Sequence, residues 1–162
     1  MFVPGDPRFD ELVQLASHAT GSGLHDRERS RWRELCAELL GVLKAEGSPQ
    51  AERRRQLRAP SRLEVHLLAP EELQGLVASS IGSGGVRLQF EAAPPPGAEA
   101  LSAGTIVELS ISVDRKKVPL LVHGQVVYAL ETGEVGVAFI DLIQSDRELL
   151  EGLAVRTLLG EP

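Results

Sequence analysis

The chain has 162 residues, 43% hydrophobic and 25% charged, which is enough apolar material for one packed domain or a small domain with an appendage. Its net charge of −6 argues against a protein that holds nucleic acid through overall charge. Aromatic residues make up only 4%, so the core must be built from Leu, Val, Ile and Ala.

The first segment has a helical period. Asp6 stands where a helix cap is needed, with Pro7 at the first helical position. Phe9, Leu12, Val13 and Ala16 then recur at helical spacing. Gly21, Ser22 and Gly23 break this helix. A longer helix follows, with Trp32, Leu35, Cys36, Leu39, Leu40 and Leu43 on one side and Arg27, Arg31, Glu34 and Glu38 on the other. It stops near Gly47, and Pro49 closes it off. Two such helices cannot bury their stripes alone, so they must pack on each other, on the following domain or on a partner. Cys36 is the sole cysteine, which excludes an intramolecular disulfide and a cysteine-rich zinc site. Its place in the apolar stripe makes it a small buried hydrophobe rather than a reactive thiol.

From Arg62 the period becomes two. Val107, Leu109, Ile111 and Val113 alternate with Glu108, Ser110 and Ser112, the pattern of a half-buried strand spanning Thr105 to Val113. Arg62–Leu68, Gln74–Ile81, Val86–Phe90, Val118–Ala129 and Glu134–Ile140 also read as strands. Breakers separate them at Pro70, at Gly82, Gly84 and Gly85, at Pro94–Gly97 and at Thr132–Gly133. Six strands with short polar turns predict a small antiparallel barrel. A closing helix is predicted from Ser145, spaced with Glu148 as a capping box, with Leu149, Leu150, Leu153, Ala154 and Leu158 on its apolar face and Gly152 weakening it. The fold class is therefore mainly β, α+β overall. Residues 1–47 form a helical segment, 48–61 an arginine-rich arm, and 62–162 a barrel with a C-terminal helix.

Two features carry chemistry. Arg53, Arg54, Arg55, Arg58 and Arg62 crowd the approach to the first strand, where guanidinium groups offer planar forks to phosphates and guanine edges and flat faces for stacking. Against that stands the plainer reading of a solvated charged linker. The second feature is the bend Ser80-Ile81-Gly82-Ser83-Gly84-Gly85. It lacks the Gly-Lys-Ser/Thr helix start of a P-loop, and the chain continues as a strand, so it reads as a tight hairpin in which glycine supplies positive φ. His18, His25, His66 and His123 are scattered, with neither metal-ligand spacing nor a carboxylate partner evident in the pattern, and no nucleophile elbow occurs. An enzyme is not expected, and neither is a metal or cofactor. No stretch approaches the roughly 20 apolar residues of a membrane span, and Met1 to Arg8 lacks the order of a secretion signal. The expected location is the cytoplasm.

Taken together these features resemble the PilZ family. Its hallmark is RxxxR shortly before the first barrel strand, then D/N-x-S-x-x-G at a strand turn. Arg54-Arg55-Gln56-Leu57-Arg58 matches the first element, with Arg53 in front, and Ser80 to Gly85 occupies the second. The resemblance continues through Gly104-Thr105-Ile106-Val107-Glu108-Leu109, Val122-His123-Gly124-Gln125-Val126-Val127-Tyr128 and Gly136-Val137-Ala138-Phe139 to the closing helix.

The resemblance implies a six-stranded barrel that receives cyclic di-GMP. Arg54 and Arg58 would clasp the ligand with Arg53 assisting, and Ser80, Gly82 and Gly85 would stand at the second motif. Ser80 replaces the expected Asp or Asn and Gly82 replaces the expected Ser; Gly85 matches. Three functions follow as expectations. The first is a bacterial regulatory adaptor that works through a protein partner in motility, pilus or polysaccharide control, with cyclic di-GMP binding weak or lost. The second is a working cyclic di-GMP receptor built on Arg54 and Arg58. The third is a nucleic-acid-binding barrel using the Arg53–Arg62 run, against which the acidic charge and scarce aromatics argue.

Overall fold

Asp6 caps the first helix as its position requires: its carboxylate accepts the Arg8 N–H at 2.9 Å, and Pro7 takes the first turn of α1, Pro7–Thr20. The computed structural model describes residues 5–45, 57–113 and 119–160. Gly23, at φ +96°, ends the first helix by donating its N–H to the His18 carbonyl at 2.7 Å. The second helix, α2, runs Asp26–Ala45. Glu28 reaches back to accept the His25 N–H at 2.9 Å, the carboxylate half of a capping box. The stop expected near Gly47 and Pro49 lies outside the described residues. The third helix, α3, is Gln144–Leu158.

The chain divides into two units, one of Met1–Ala59 with Gln144–Pro162, the other of Pro60–Ile143. In the first, α3 supplies the surface that the N-terminal helices need. Leu12, Leu15, Ala16 and Ala19 of α1 and Trp32, Leu35, Cys36 and Leu39 of α2 share one core with Ala154, Val155, Leu57 and Ala59. The buried face of α1 thus turns from the expected stripe toward Leu15 and Ala19, while Phe9 and Val13 stay partly exposed. By packing, the closing helix goes with the N-terminal helices rather than with the strands beside which the sequence set it.

Ion pairs join the helices. The Arg29 Nε–H reaches both carboxylate oxygens of Glu148, at 2.9 and 3.2 Å, and Arg31 reaches Glu11 at 2.8 Å. This corrects the capping-box reading of Ser145 and Glu148. The helix starts a residue earlier, and the Glu148 carboxylate is drawn instead into a buried pair with α2.

The second unit is a closed antiparallel barrel in the order β1-β2-β3-β6-β5-β4. Its strands are β1 Arg58–Ala69, β2 Leu73–Gly82, β3 Gly85–Phe90, β4 Ile106–Ile111, β5 Leu120–Ala129 and β6 Glu134–Ile140. Closure removes every free edge. The inward rows hold Val65, Leu67, Leu76, Ala78, Ile81, Val86, Leu88, Val107, Leu109, Ile111, Val122, Val126, Val135 and Val137, all buried, the aliphatic core that the composition demands. Each such Val, Leu or Ile contributes about 1.5–3 kcal/mol of transfer free energy. Bulges at Ser79 and Val127, where the registers shift, add local twist and bend the strands toward closure.

The tight wall has a second cause in its glycines. A Cβ on Gly124 would fall 2.4 Å from Val137 Cγ1, and one on Gly136 would fall 2.3 Å from the Tyr128 ring. Only bare backbone fits where β5 and β6 approach so closely.

Candidate ligand-binding face

The arginine motif is only partly in view. Arg53 and Arg54 lie outside the described residues. Arg58, expected at the end of an arm, is instead the first residue of β1, which begins four residues earlier than the alternation predicts. Leu57 and Ala59 on either side of it are buried in the helical core. Alternation along extended chain therefore turns the Arg58 side chain to the opposite face, where it is half-buried.

The second motif forms the tip of the β2–β3 hairpin. Ser80 pairs with Arg87 and Ile81 with Val86, so Gly82 and Gly85 end their strands and only Ser83 and Gly84 make the turn. Ile81 and Val86 point into the barrel, and the pair Ser80–Arg87 points out. Ser80 is nonetheless buried, at 8% exposure. The Ser79 hydroxyl donates to the Arg87 carbonyl at 3.3 Å and holds the bulge. On the strand beside it, the Ser61 hydroxyl donates to the Ala78 carbonyl.

The expected role of glycine in this bend needs correction. Positive φ occurs at Gly75, Gly97, Gly104 and Gly133 among others, but not at Gly82, Gly84 or Gly85. Gly85 is required by proximity: a Cβ there would lie 2.3 Å from the Val137 carbonyl oxygen on β6. The one position that matches the family pattern at this motif therefore serves barrel closure.

Next to Ser80 the outer face carries a group that motif reading passed over. The Arg87 Nε stands 3.9 Å from Glu134 Oε1, while the Tyr128 hydroxyl donates to Glu134 Oε2 at 2.9 Å. Its alternating place in Val86-Arg87-Leu88 marks Arg87 as outward-facing; its register opposite Ser80 needed the fold. A cleft of about 510 Å³ lies elsewhere, across β1, lined by Glu64, His66, Gln74, Glu91, Ser110 and Ser112. Its carboxylates make it a poor seat for phosphate.

Two of the histidines, His18 and His66, do find carboxylates that the sequence pattern does not show. His18 Nδ1 lies 2.6 Å from Glu28, where the end of α1 meets the start of α2, and His66 Nε2 lies 3.1 Å from Glu72 across the β1–β2 turn. Each is a two-residue pair, and among the described residues no three His, Cys, Asp or Glu side chains gather as a metal site. Cys36 is buried, and burial, with the Glu151 charge adding, pushes its thiol well above the ordinary range.

The second unit is thus a small closed barrel whose β2–β3 hairpin keeps its polar residues Ser80 and Ser83 buried. The family model for the PilZ domain matches residues 52–156, and the chain belongs to the PilZ family. The inhibitor of motility MotI/DgrA from Bacillus subtilis is similar in structure, with a TM-score of 0.55 at 16% identity, covering 67% of this chain and 52% of that one. This chain thus corresponds to about half the length of that structure. The PilZ domain of YcgR from Escherichia coli, solved with c-di-GMP, gives a TM-score of 0.48 at 15% identity and covers 65% of this chain and 92% of its own. The PilZ domain of CeSA from a cellulose-synthesizing bacterium gives 0.42 at 16% identity, with coverage of 64% and 94%. The comparison with curated proteins gives no match. Among the described residues no helix is long and apolar enough to cross a membrane.

Proposed function

We propose that this chain is a non-enzymatic PilZ regulatory adaptor of the bacterial cytoplasm, acting through a protein partner in the control of motility, pili or polysaccharide, with its affinity for cyclic di-GMP weakened or lost. It works without a cofactor. The B. subtilis protein that shares its barrel is an inhibitor of motility, which favours motility among the three processes. The observation that carries the reading is the hairpin tip. Ser80 brings one short hydroxyl, on a buried residue at the rung it shares with Arg87, and Gly82 brings no side chain, where the family pattern has a carboxylate or amide and a hydroxyl. A polar interaction with the ligand is worth about 0.5–3 kcal/mol, so the want of two weakens binding by about tenfold to a thousandfold or more.

Any ligand affinity that persists rests on Arg53, Arg54 and Arg58 with Ser80, Gly82 and Gly85 at the hairpin. Isothermal titration with cyclic di-GMP tests the reading. The expected trace is flat, or saturates only at high micromolar ligand, and Ser80→Asp with Gly82→Ser restores saturable heat. Low-micromolar binding by the parent protein that disappears in Arg54→Ala and Arg58→Ala would instead make it a receptor.

A further inference from the structure

The outer wall made by β4 and β5 carries more apolar surface than a wetted face needs. Ile106 of β4 and Leu121 and Val127 of β5 are 54%, 58% and 60% exposed. Each points away from the core because its neighbours Val107, Val122 and Val126 point inward and are buried. One such residue on a surface asks for no account, but three on two adjacent strands make a patch of the kind that another protein covers. The face lies wholly within the barrel unit.

Register orders this face into three outward rungs, Ile106–Gln125, Glu108–His123 and Ser110–Leu121. Val127 extends it past Gln125, diagonal to Ile106. The pattern has a local two-fold. Turned by half a revolution about the middle rung, Ile106 falls on Leu121, Gln125 on Ser110, and the acid Glu108 on the base His123. Two copies can meet face to face about a two-fold axis in two simple ways. An axis across the strands sets Glu108 on Glu108 of the second copy, like charge on like charge. An axis along the strands sets Glu108 on His123 of the second copy, twice by symmetry. It also lays Ile106 over Gln125 and Leu121 over the small Ser110. The second arrangement is self-complementary, as an isologous interface must be.

We propose that the β4–β5 face is a homodimer interface, covered by the same face of a second copy, with Glu108 of each chain paired to His123 of the other. Burial of Ile106, Leu121 and Val127 supplies the affinity, and the central charged rung fixes the orientation. Sheets packed in this way keep their strand directions within about 30° of each other, so the two barrels lie side by side.

Sedimentation equilibrium of the full chain up to near-millimolar concentration tests it. The parent protein is expected to dimerise, and Leu121→Lys and Ile106→Glu are each expected to raise the dissociation constant about tenfold or more. Glu108→Lys and His123→Glu, made singly, each bring like charges together across the axis and are expected to do the same. Thermal melts matching the parent's show that the barrel is intact in each. An equimolar mixture of Glu108→Lys with His123→Glu is expected to dimerise again, because each variant then meets the opposite charge on the other. A pairing confined within one chain would not be rescued by mixing. A parent that stays monomeric throughout would overturn the inference and leave the patch to a different protein. A dimer indifferent to Leu121→Lys, or single variants that mixing fails to rescue, would overturn it as well.

Discussion

Gly85→Ala is the sharpest perturbation available at the hairpin, because a single methyl meets backbone rather than a side chain that can swing away. The added carbon would start 2.3 Å from the Val137 carbonyl oxygen, whereas such carbon–oxygen contacts settle near 3.3 Å. Strands β3 and β6 must therefore part by about 1 Å at the Gly85–Ala138 pair. The parting also stretches the bond from the Phe139 N–H to the Gly84 carbonyl, now 3.0 Å. Overpacking of this kind costs about 1–3 kcal/mol, and one or two weakened ladder bonds add about 0.5–1.5 kcal/mol each. Stiffening of the unfolded chain by alanine returns about 0.4–1 kcal/mol. The balance is a loss of about 2–4 kcal/mol, a fall in Tm of roughly 5–15 °C for a chain of this size. Thermal melts by far-UV circular dichroism measure it. Gly41→Ala is the natural control, since nothing lies within 4 Å of its Cβ position on α2, and there alanine should stabilise by about 0.5–1 kcal/mol. A Gly85→Ala protein that melts within about 2 °C of the parent would refute the argument that β3 and β6 need glycine at their crossing.

Four further expectations concern the helical unit. Gly152→Leu should destabilise by about 1–3 kcal/mol, since even a Cβ there lies 2.9 Å from Thr20 Cγ2 and 3.1 Å from Ala19 Cβ; urea unfolding followed by Trp32 fluorescence gives the value. Burial, with the Glu148 charge adding, raises the Glu151 carboxyl above its ordinary value of 4.5. Its ionised form thus opposes folding above that raised value, and Glu151→Gln should raise the Tm at neutral pH. Glu28 behaves in the opposite way: the His25 N–H and the His18 ring hold its carboxyl below 4.5. Its contribution is complete above pH 4.5 and is lost as pH falls through the depressed value; acid titration of Glu28→Gln should show a shallower loss of stability in that window. Cys36, buried with its thiol pushed up, should resist iodoacetamide in the native protein and react only at the rate at which the helical core opens.

The elements that were legible in the sequence are those whose signal is local. The alternation Val107, Leu109, Ile111 found β4, and the pairing of Asp6 with Pro7 placed the start of α1. Relations between distant residues were not legible. Nothing in the spacing of Ser145 and Glu148 says that the carboxylate will meet Arg29, 119 positions away. Gly152 looked like a flaw in a helix, but it is the point where α1 comes close enough to α3 for Ala19 and Thr20 to pack. Arg58 was set in a linker because alternation weakens before Arg62, yet the strand extends to it. Val86–Phe90 reads as a strand in the sequence, but the register that sets Arg87 opposite Ser80 does not.

The hairpin motif contains two kinds of position. Ser80 shares its rung with Arg87 and is itself buried at 8% exposure, while Ile81 and Val86 supply the packing of the barrel's interior there, so a change of residue at 80 is not felt first in that interior. Gly85 faces the backbone of β6 and admits no side chain. A barrel kept as a scaffold for binding a protein is bound by the second constraint and released from the first. The combination found here, a retained Gly85 with Ser80 and Gly82 in place of the ligand-reading groups, is what that difference in constraint leads one to expect. It also explains why the glycine of the motif, taken alone, is no argument for a bound nucleotide: the barrel would require it without one.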